Sequence, residues 1–372
     1  MNIKQTTHNT IIGAAQKMTQ IENDSVDLVV TSPPYPMIEM WDDIMALQNT
    51  EISFALSNNK AQLAFELMHF ELDKIWSEVA RVLKNGGFAC INIGDATRTI
   101  NNQFALYPNH SRIISAFQKL QIPNLPNIIW RKQTNAPNKF MGSGMLPSGA
   151  YVTLEHEWIL IFRKGGKREF KNDNEKLNRQ ESSYFWEERN IWFSDLWDLK
   201  GTKQNIDNSK SRKRSAAYPF ELPYRLINMY SVKNDVVLDP FLGTGTTTLA
   251  AMASQRNSIG YEIDQEFLDI INENIQSTSL DVLNSIIDSR INNHYNFIID
   301  RINDPKKKNI KYFNDNLKLP VITSQEKNIK FDYLQKVVKK DNTFIASYSD
   351  YRPTEMVLPK MNNTKKEFTL FD

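Results

Sequence analysis

Asp235-Val236-Val237-Leu238-Asp239-Pro240-Phe241-Leu242-Gly243-Thr244-Gly245-Thr246-Thr247-Thr248-Leu249-Ala250 reads as an apolar strand that runs into a tight glycine loop and then a helix. Gly243 and Gly245 let the backbone approach a ligand closely. A nucleotide-type site also needs a following strand, and Asn257-Ser258-Ile259-Gly260-Tyr261-Glu262 supplies it. Glu262 ends that strand, where an acidic side chain can accept hydrogen bonds from ribose hydroxyls. Thr248 stands where Gly-x-Gly-x-x-Gly would carry its third glycine, and no Gly-Lys-Ser/Thr follows. Pyrophosphate and triphosphate cradles are therefore both disfavoured.

A second stretch, Thr31-Ser32-Pro33-Pro34-Tyr35, ends the apolar run Val26-Asp27-Leu28-Val29-Val30, which reads as a buried parallel strand. Two prolines fix their own φ and bias the preceding residues toward extended geometry, so the chain leaves the sheet stiffly and holds Ser32 and Tyr35 in place. Pro34 has no amide hydrogen, which leaves the Pro33 carbonyl as an acceptor with no donor beside it. Alone, this pentapeptide does not distinguish a catalytic loop from a strand followed by a Pro-Pro turn.

Composition bounds the answer. The 372 residues are enough for one large α/β domain and an accessory region, and the hydrophobic and charged fractions, 41% and 24%, are ordinary for a soluble globular protein. No apolar run approaches a membrane span, and Met1-Asn2-Ile3-Lys4 leads into a polar segment rather than a signal peptide. One cysteine, Cys90, excludes an internal disulfide and a Cys-rich zinc site, which fits a reducing cytoplasm. A net charge of +2 does not announce nucleic-acid binding, so any DNA surface must come from local clusters of Lys and Arg.

Taken in order, residues 8–12 are extended, 14–21 have helical spacing at Ala15, Met18 and Ile21, and 36–60 form a loop or short helix over the site. A helix over 65–83 stops at Asn85-Gly86-Gly87, and a buried strand over 88–93 holds Cys90 as a structural thiol. Asp95 faces the site or caps the next helix. A helix over 111–120 and strands at 128–130 and 158–162 follow, with the Asn-, Pro- and Gly-rich segment 134–151 between those strands. In Glu155-His156-Glu157 the carboxylates point away from the histidine face of a strand, so no metal site is expected.

Residues 164–216 interleave Lys and Arg with Tyr184, Phe185, Trp186, Trp192, Phe193 and Trp197, either a DNA surface or a solvated face over a small aromatic core. Helical spacing continues from 264 to 304. The Lys-rich tail beyond it reads as a DNA-contacting accessory module or a solvated surface.

Ser32-Pro33-Pro34-Tyr35 resembles the Asp/Asn/Ser-Pro-Pro-Tyr motif of enzymes that methylate exocyclic amino groups of DNA bases, and its serine is similar to the cytosine-N4 branch. Residues 239–247 resemble the S-adenosylmethionine loop of the same enzymes. Residues 217–227 resemble their segment over the methionine end of the cofactor, 81–87 the segment before a central strand, and 155–158 the start of a late strand. The order, with Pro-Pro-Tyr before the cofactor loop, resembles the permuted β-group of DNA amino-methyltransferases. Ala14 departs from the family, which commonly carries an acidic residue there near the cofactor.

This resemblance implies an α/β methyltransferase fold, with a mixed, mostly parallel sheet, helices on both faces, a recognition insert and a C-terminal extension. The implied parts are a catalytic half (1–163), a target-recognition region (164–216), a cofactor half (217–276) and the extension (277–372). Ser32, Pro33, Pro34 and Tyr35 would form the catalytic site. Tyr218, Pro219, Asp239, Phe241, Gly243, Gly245, Thr246 and Glu262 would bind S-adenosylmethionine, and Lys203, Arg212, Lys213 and Arg214 would bind DNA. Double-stranded DNA, a restriction endonuclease acting on the same site and possible homodimerisation are the implied partnerships. Competing readings are adenine-N6 methylation, an NAD-dependent oxidoreductase, which gives Ser32 to Tyr35 no role, and a non-catalytic DNA-binding module.

Overall fold

The structure is a computed structural model that describes residues 4–132, 142–200, 218–307 and 309–350. The catalytic half runs β1 (Lys4–Ile12), β2 (Val26–Thr31), α1 (Asp42–Gln48), α2 (Thr50–Ser57), α3 (Ala61–Val82), β3 (Leu83–Ile93), β4 (Ala96–Ile100), β5 (Gln103–Tyr107), α4 (Asn109–Lys119), β6 (Asn124–Arg131) and β7 (His156–Arg163). Then come α5 (Asp173–Glu181), α6 (Trp186–Trp192), β8 (Leu196–Asp198), α7 (Glu221–Tyr230), β9 (Val236–Asp239), α8 (Thr246–Ala253) and β10 (Asn257–Glu262). The chain ends in α9 (Phe267–Ser277), α10 (Leu280–Asn303), β11 (Tyr312–Asn314), β12 (Leu319–Val321), β13 (Tyr333–Lys340) and β14 (Thr343–Ser349).

Ten strands form one sheet in the order β13-β14-β1-β10-β9-β2-β3-β7-β6-β8. The middle five, β1 to β3 in that order, are all parallel, as expected. Alternate residues of β2 feed two cores: Val29 packs with α3 and α4, whereas Leu28 and Val30 pack with α7 and α8. All six β2 residues are buried, as a strand covered on both faces requires. Crossovers from β9 and β2 diverge to opposite sides of the sheet. The β9–β2 boundary is thus a topological switch point, where a crevice opens beyond the strand ends.

Several expectations need correction. Residues 14–21 run in turns, not a helix. Met18 N donates to Glu78 Oε2 at 2.7 Å, and Arg81 donates to the carbonyls of Met18 and Ile21 at 2.9 and 3.0 Å. Side chains of α3 thus satisfy backbone groups that a helix would pair internally. Strand β3 begins at Leu83, so Asn85-Gly86-Gly87 lies within its bulged start. Gly86, at φ +87°, fits there because a Cβ would meet the Arg168 backbone at 2.9 Å. Asp95 is a cap at a distance: across the β4–β5 hairpin it accepts the His110 amide in the first turn of α4 at 3.1 Å. Cys90 is a buried thiol on β3, as expected.

Phe185, Trp192 and Trp197 are buried and therefore cannot stack on bases. Trp192 and Trp197 join the core under α7 and α8, Phe185 packs in a separate cluster with Val321 and Ile329, and the Glu188–Arg290 ion pair ties α6 to α10. The tail, in turn, is part of the sheet: β14 pairs antiparallel with β1, and β13 with β14. Phe344, Ala346 and Tyr348 are buried there, whereas Lys336, Lys339 and Lys340 are exposed on the edge strand, where charge discourages further pairing.

Candidate active site

Beyond the pairs Leu28–Val237 and Val29–Leu238, β2 and β9 stop pairing and a cleft opens at their C-terminal ends. Ser32, Pro33, Pro34 and Tyr35 line one side, and Asp239, Phe241, Gly243, Thr246 and Glu262 the other, with Tyr218 joining them. Pro219 and Gly245 lie outside the lining. Pro219 is buried and accepts the Leu222 amide into α7. Gly245 adopts φ +86° as the N-cap of α8, facing Ile271.

The glycine-loop side is held by Asp239, whose carboxylate is fully engaged. Thr31 Oγ1 donates to Oδ1 at 2.6 Å and the Phe241 amide at 3.1 Å; Thr247 Oγ1 donates to Oδ2 at 2.5 Å and the Tyr218 hydroxyl at 3.3 Å. Burial holds this acid above its usual range, and the four donors oppose the shift. Asp239 therefore shapes the loop more than it offers free acceptors. Glu262 differs. Each of its oxygens accepts one backbone amide, Gly243 N and Asp264 N, both at 2.9 Å, which leaves lone pairs for a ligand. Burial pushes its pKa up to about 7. Gly243, at φ +54°, presents bare backbone, since the nearest neighbour of an added Cβ would be Phe241 O at 3.9 Å.

On the Pro-Pro-Tyr side, Ser32 Oγ donates to the Tyr35 hydroxyl at 3.2 Å, and that hydroxyl donates to Glu157 Oε2 at 2.8 Å. Asn92 Nδ2 donates to the same Tyr35 oxygen at 2.8 Å and to Glu157 Oε2 at 2.7 Å, and Lys132 pairs with Glu157 Oε1. Burial, then the Glu157 charge, holds the Tyr35 phenol well above its ordinary pKa. The ring rests on Gly94, where a Cβ would sit 2.9 Å from Tyr35 Cε2.

Sequence reasoning missed Asn92, Gly94, Lys132 and Glu157. The available signal was Glu155-His156-Glu157-Trp158, read as the start of a late strand and as an improbable metal site, with no role given to Glu157 in the cleft. Trp41, Ile44 and Gln48 of the 36–60 segment also line the cleft, consistent with its expected place over the site. Ala14 is exposed, while its neighbours Gly13, Ala15 and Gln16 line the cleft.

Lys203, Arg212, Lys213 and Arg214 lie outside the described residues, as does 134–141 of the Asn- and Pro-rich segment. The flanking residues stand on the cleft side of the sheet. Lys132 binds Glu157, Trp130 Nε1 donates to Leu199 O at 2.9 Å, and Tyr218 reaches Asp239.

The family model for N6/N4 enzymes, described as DNA methylase, matches residues 26–273, which takes in both sides of the cleft. The chain belongs to the DNA methylase family. This methylase is 51% identical over 361 residues to the type II methyltransferase M.MthZI of Methanothermobacter thermautotrophicus, a match covering 96% of this chain and 99% of that one. It is 52% identical over 281 residues to the type II methyltransferase M.MjaI of Methanocaldococcus jannaschii, covering 73% and 91%. A putative DNA modification methylase from Thermus thermophilus, solved in complex with S-adenosyl-L-methionine, superposes with a TM-score of 0.56 at 30% identity, covering 72% of this methylase and 94% of that chain. The methylase is thus a type II DNA methyltransferase of the N6/N4 kind, with the mixed α/β sheet that the sequence implied. No helix among its described residues is long and apolar enough to cross a membrane.

Proposed function

We propose that this methyltransferase transfers the methyl group of S-adenosylmethionine to the exocyclic N4 of a cytosine in double-stranded DNA. The observation that carries the reading is the meeting of Ser32-Pro33-Pro34-Tyr35 with Glu262 and the Gly243 loop in one cleft. The residues fit the cofactor. Glu262 keeps lone pairs for ribose hydroxyls, Gly243 leaves its backbone open, and Ile263 and Phe267 give the same end of the cleft an apolar wall for a purine. When bound, the cofactor supplies a methyl group activated by its sulfonium.

Catalysis by the chain's own residues is then chiefly a matter of geometry, because the cytosine amino lone pair is delocalised into the ring and must be turned out of it. The one proton of Ser32 Oγ points to Tyr35, so its lone pairs can accept an amino hydrogen, as can the Pro33 carbonyl. Tyr35 offers a ring held between Gly94 and the cleft for the base to stack on. The target atom is inaccessible within a duplex, so the base must be flipped out, as DNA methyltransferases do.

Sequence recognition falls to residues 164–216, with Lys203 and Arg212-Lys213-Arg214 on phosphates. The modification would protect the site from a cognate restriction endonuclease. Digestion of DNA treated with the protein and cofactor, followed by mass spectrometry of the nucleosides, tests the reading. N4-methylcytosine is expected; N6-methyladenine would move the chain to the adenine branch, and the absence of any methylated amino base would overturn the proposal.

A further inference from the structure

Ser32, Tyr35, Asn92 and Glu157 form a hydrogen-bond chain whose direction is fixed. Asn92 Nδ2 lies 2.7 Å from Glu157 Oε2, and the opposite amide orientation would press two acceptor oxygens together there. Asn92 therefore donates both to the carboxylate and to the Tyr35 oxygen at 2.8 Å. Tyr35, in turn, directs its only proton to Glu157 at 2.8 Å and receives that of Ser32 at 3.2 Å. On the far side, Lys132, whose side chain is 40% exposed, pairs with Glu157 Oε1. An unbroken path thus leads from the cleft wall to solvent.

We propose that Glu157 takes up, through Tyr35 and Ser32, the proton that the target amino group must lose. This rests on the amino-methylation reading above. As the nitrogen–carbon bond forms, the electron pair of the breaking carbon–sulfur bond stays with sulfur, and the nitrogen retains the pair of the N–H bond it gives up. That proton passes to Ser32 Oγ, the Ser32 proton to the Tyr35 oxygen, and the Tyr35 proton to Glu157 Oε2. The balance is one neutral carboxylic acid, with Ser32 and Tyr35 again uncharged. Burial disfavours a free Tyr35 phenolate, so the transfers are concerted. Afterwards the acid releases its proton to water beside Lys132. Glu157 touches neither base nor cofactor and acts through Tyr35 as a positioning and relay residue.

The test compares Glu157→Gln/Lys132→Met, a pair close to the native shape that keeps an acceptor for Tyr35 but no carboxylate, with Lys132→Met alone. Single-turnover methyl transfer should be slower in the double variant by about 100-fold, within the range of general acid–base effects. Cofactor affinity by calorimetry, and the fluorescence of 2-aminopurine at the target position, should match Lys132→Met. Tyr35→Phe, which keeps the ring and breaks the path, should show the same split between rate and binding. A double variant as fast as Lys132→Met, or one that loses the flipped-base signal together with its rate, overturns the relay. If the wild-type protein methylates no amino group, the underlying reading falls instead.

Discussion

Thr31 Oγ1 lies 2.6 Å from Asp239 Oδ1, a hydrogen bond between residues 208 positions apart that bridges β2 and β9 just where their backbone pairing ends. It joins the Pro-Pro-Tyr segment to the glycine loop through buried side chains, so the spacing of the two sides of the cleft depends on it.

Thr31→Val keeps the shape and removes that donor, leaving Asp239 buried with one fewer partner. A stability loss of about 1 to 3 kcal/mol is expected. Cofactor affinity should fall with it, because the loop loses a brace. Denaturant melts and calorimetry measure the two, and unchanged affinity in a destabilised variant would show that the loop is braced from elsewhere.

Glu262 makes both binding and stability depend on pH. Its folded pKa of about 7 lies above the ordinary 4.5, so between those values the folded state binds more protons than the unfolded one. The stability of the free protein from this group is full below pH 4.5 and should decline as pH rises toward 7, by on the order of 3 kcal/mol. Cofactor affinity should run the other way, rising through pH 6 to 8, because ribose hydroxyls need the ionised acceptor. Glu262→Gln should flatten both profiles. Glu262→Ala should weaken binding by about 1 to 3 kcal/mol.

Gly94→Ala places a methyl group 2.9 Å from Tyr35 Cε2 and 3.2 Å from Cδ2, which pushes the ring off its seat. Methylation should fall by about 100-fold, on the scale at which a misplacement of about 1 Å acts. Cofactor binding should be retained, since the Glu262 end is untouched. Tyr35→Ala should show the same pattern more severely. Equal loss of activity and cofactor affinity in both variants would contradict the division of labour across the cleft.

Replacing Arg212, Lys213 and Arg214 with Gln should weaken binding to every DNA sequence and flatten the salt dependence, while site preference survives. Binding measured from 50 to 200 mM salt reads the slope; a changed target site would mean that these residues read bases.

A chain ending at Asp304 should not fold stably. It lacks β13 and β14, leaves the edge of β1 unpaired and removes Asp332, which Lys4 and Lys233 bind at 2.9 and 2.8 Å. A cooperative melt of that fragment at the full-length temperature would show the tail to be dispensable.

The sequence by itself determined the central strands β2, β3 and β9, because strands buried on both faces read as continuous apolar runs, and it determined the glycine loop, because positive φ at Gly243 and Gly245 leaves few alternatives. Local pattern placed Ser32 to Tyr35 and Glu262 at strand ends, and their expected roles came from the resemblance to DNA amino-methyltransferases. Tertiary structure alone decided what those residues touch. Glu157 reaches Tyr35 from 122 positions away, and Asn92 and Gly94 enter the site through the pairing of β3 with β2 and β7. No local periodicity encodes such contacts, since register is settled by packing across strands. The same physics explains where local pattern falls short. Residues 14–21 have helical spacing, but Glu78 and Arg81 of α3 claim their backbone groups. Lys336, Lys339 and Lys340 of the tail are exposed, as the solvated-surface reading had it; what local pattern did not reveal is that they lie on an edge strand paired with β14, whose alternate residues are buried against the sheet.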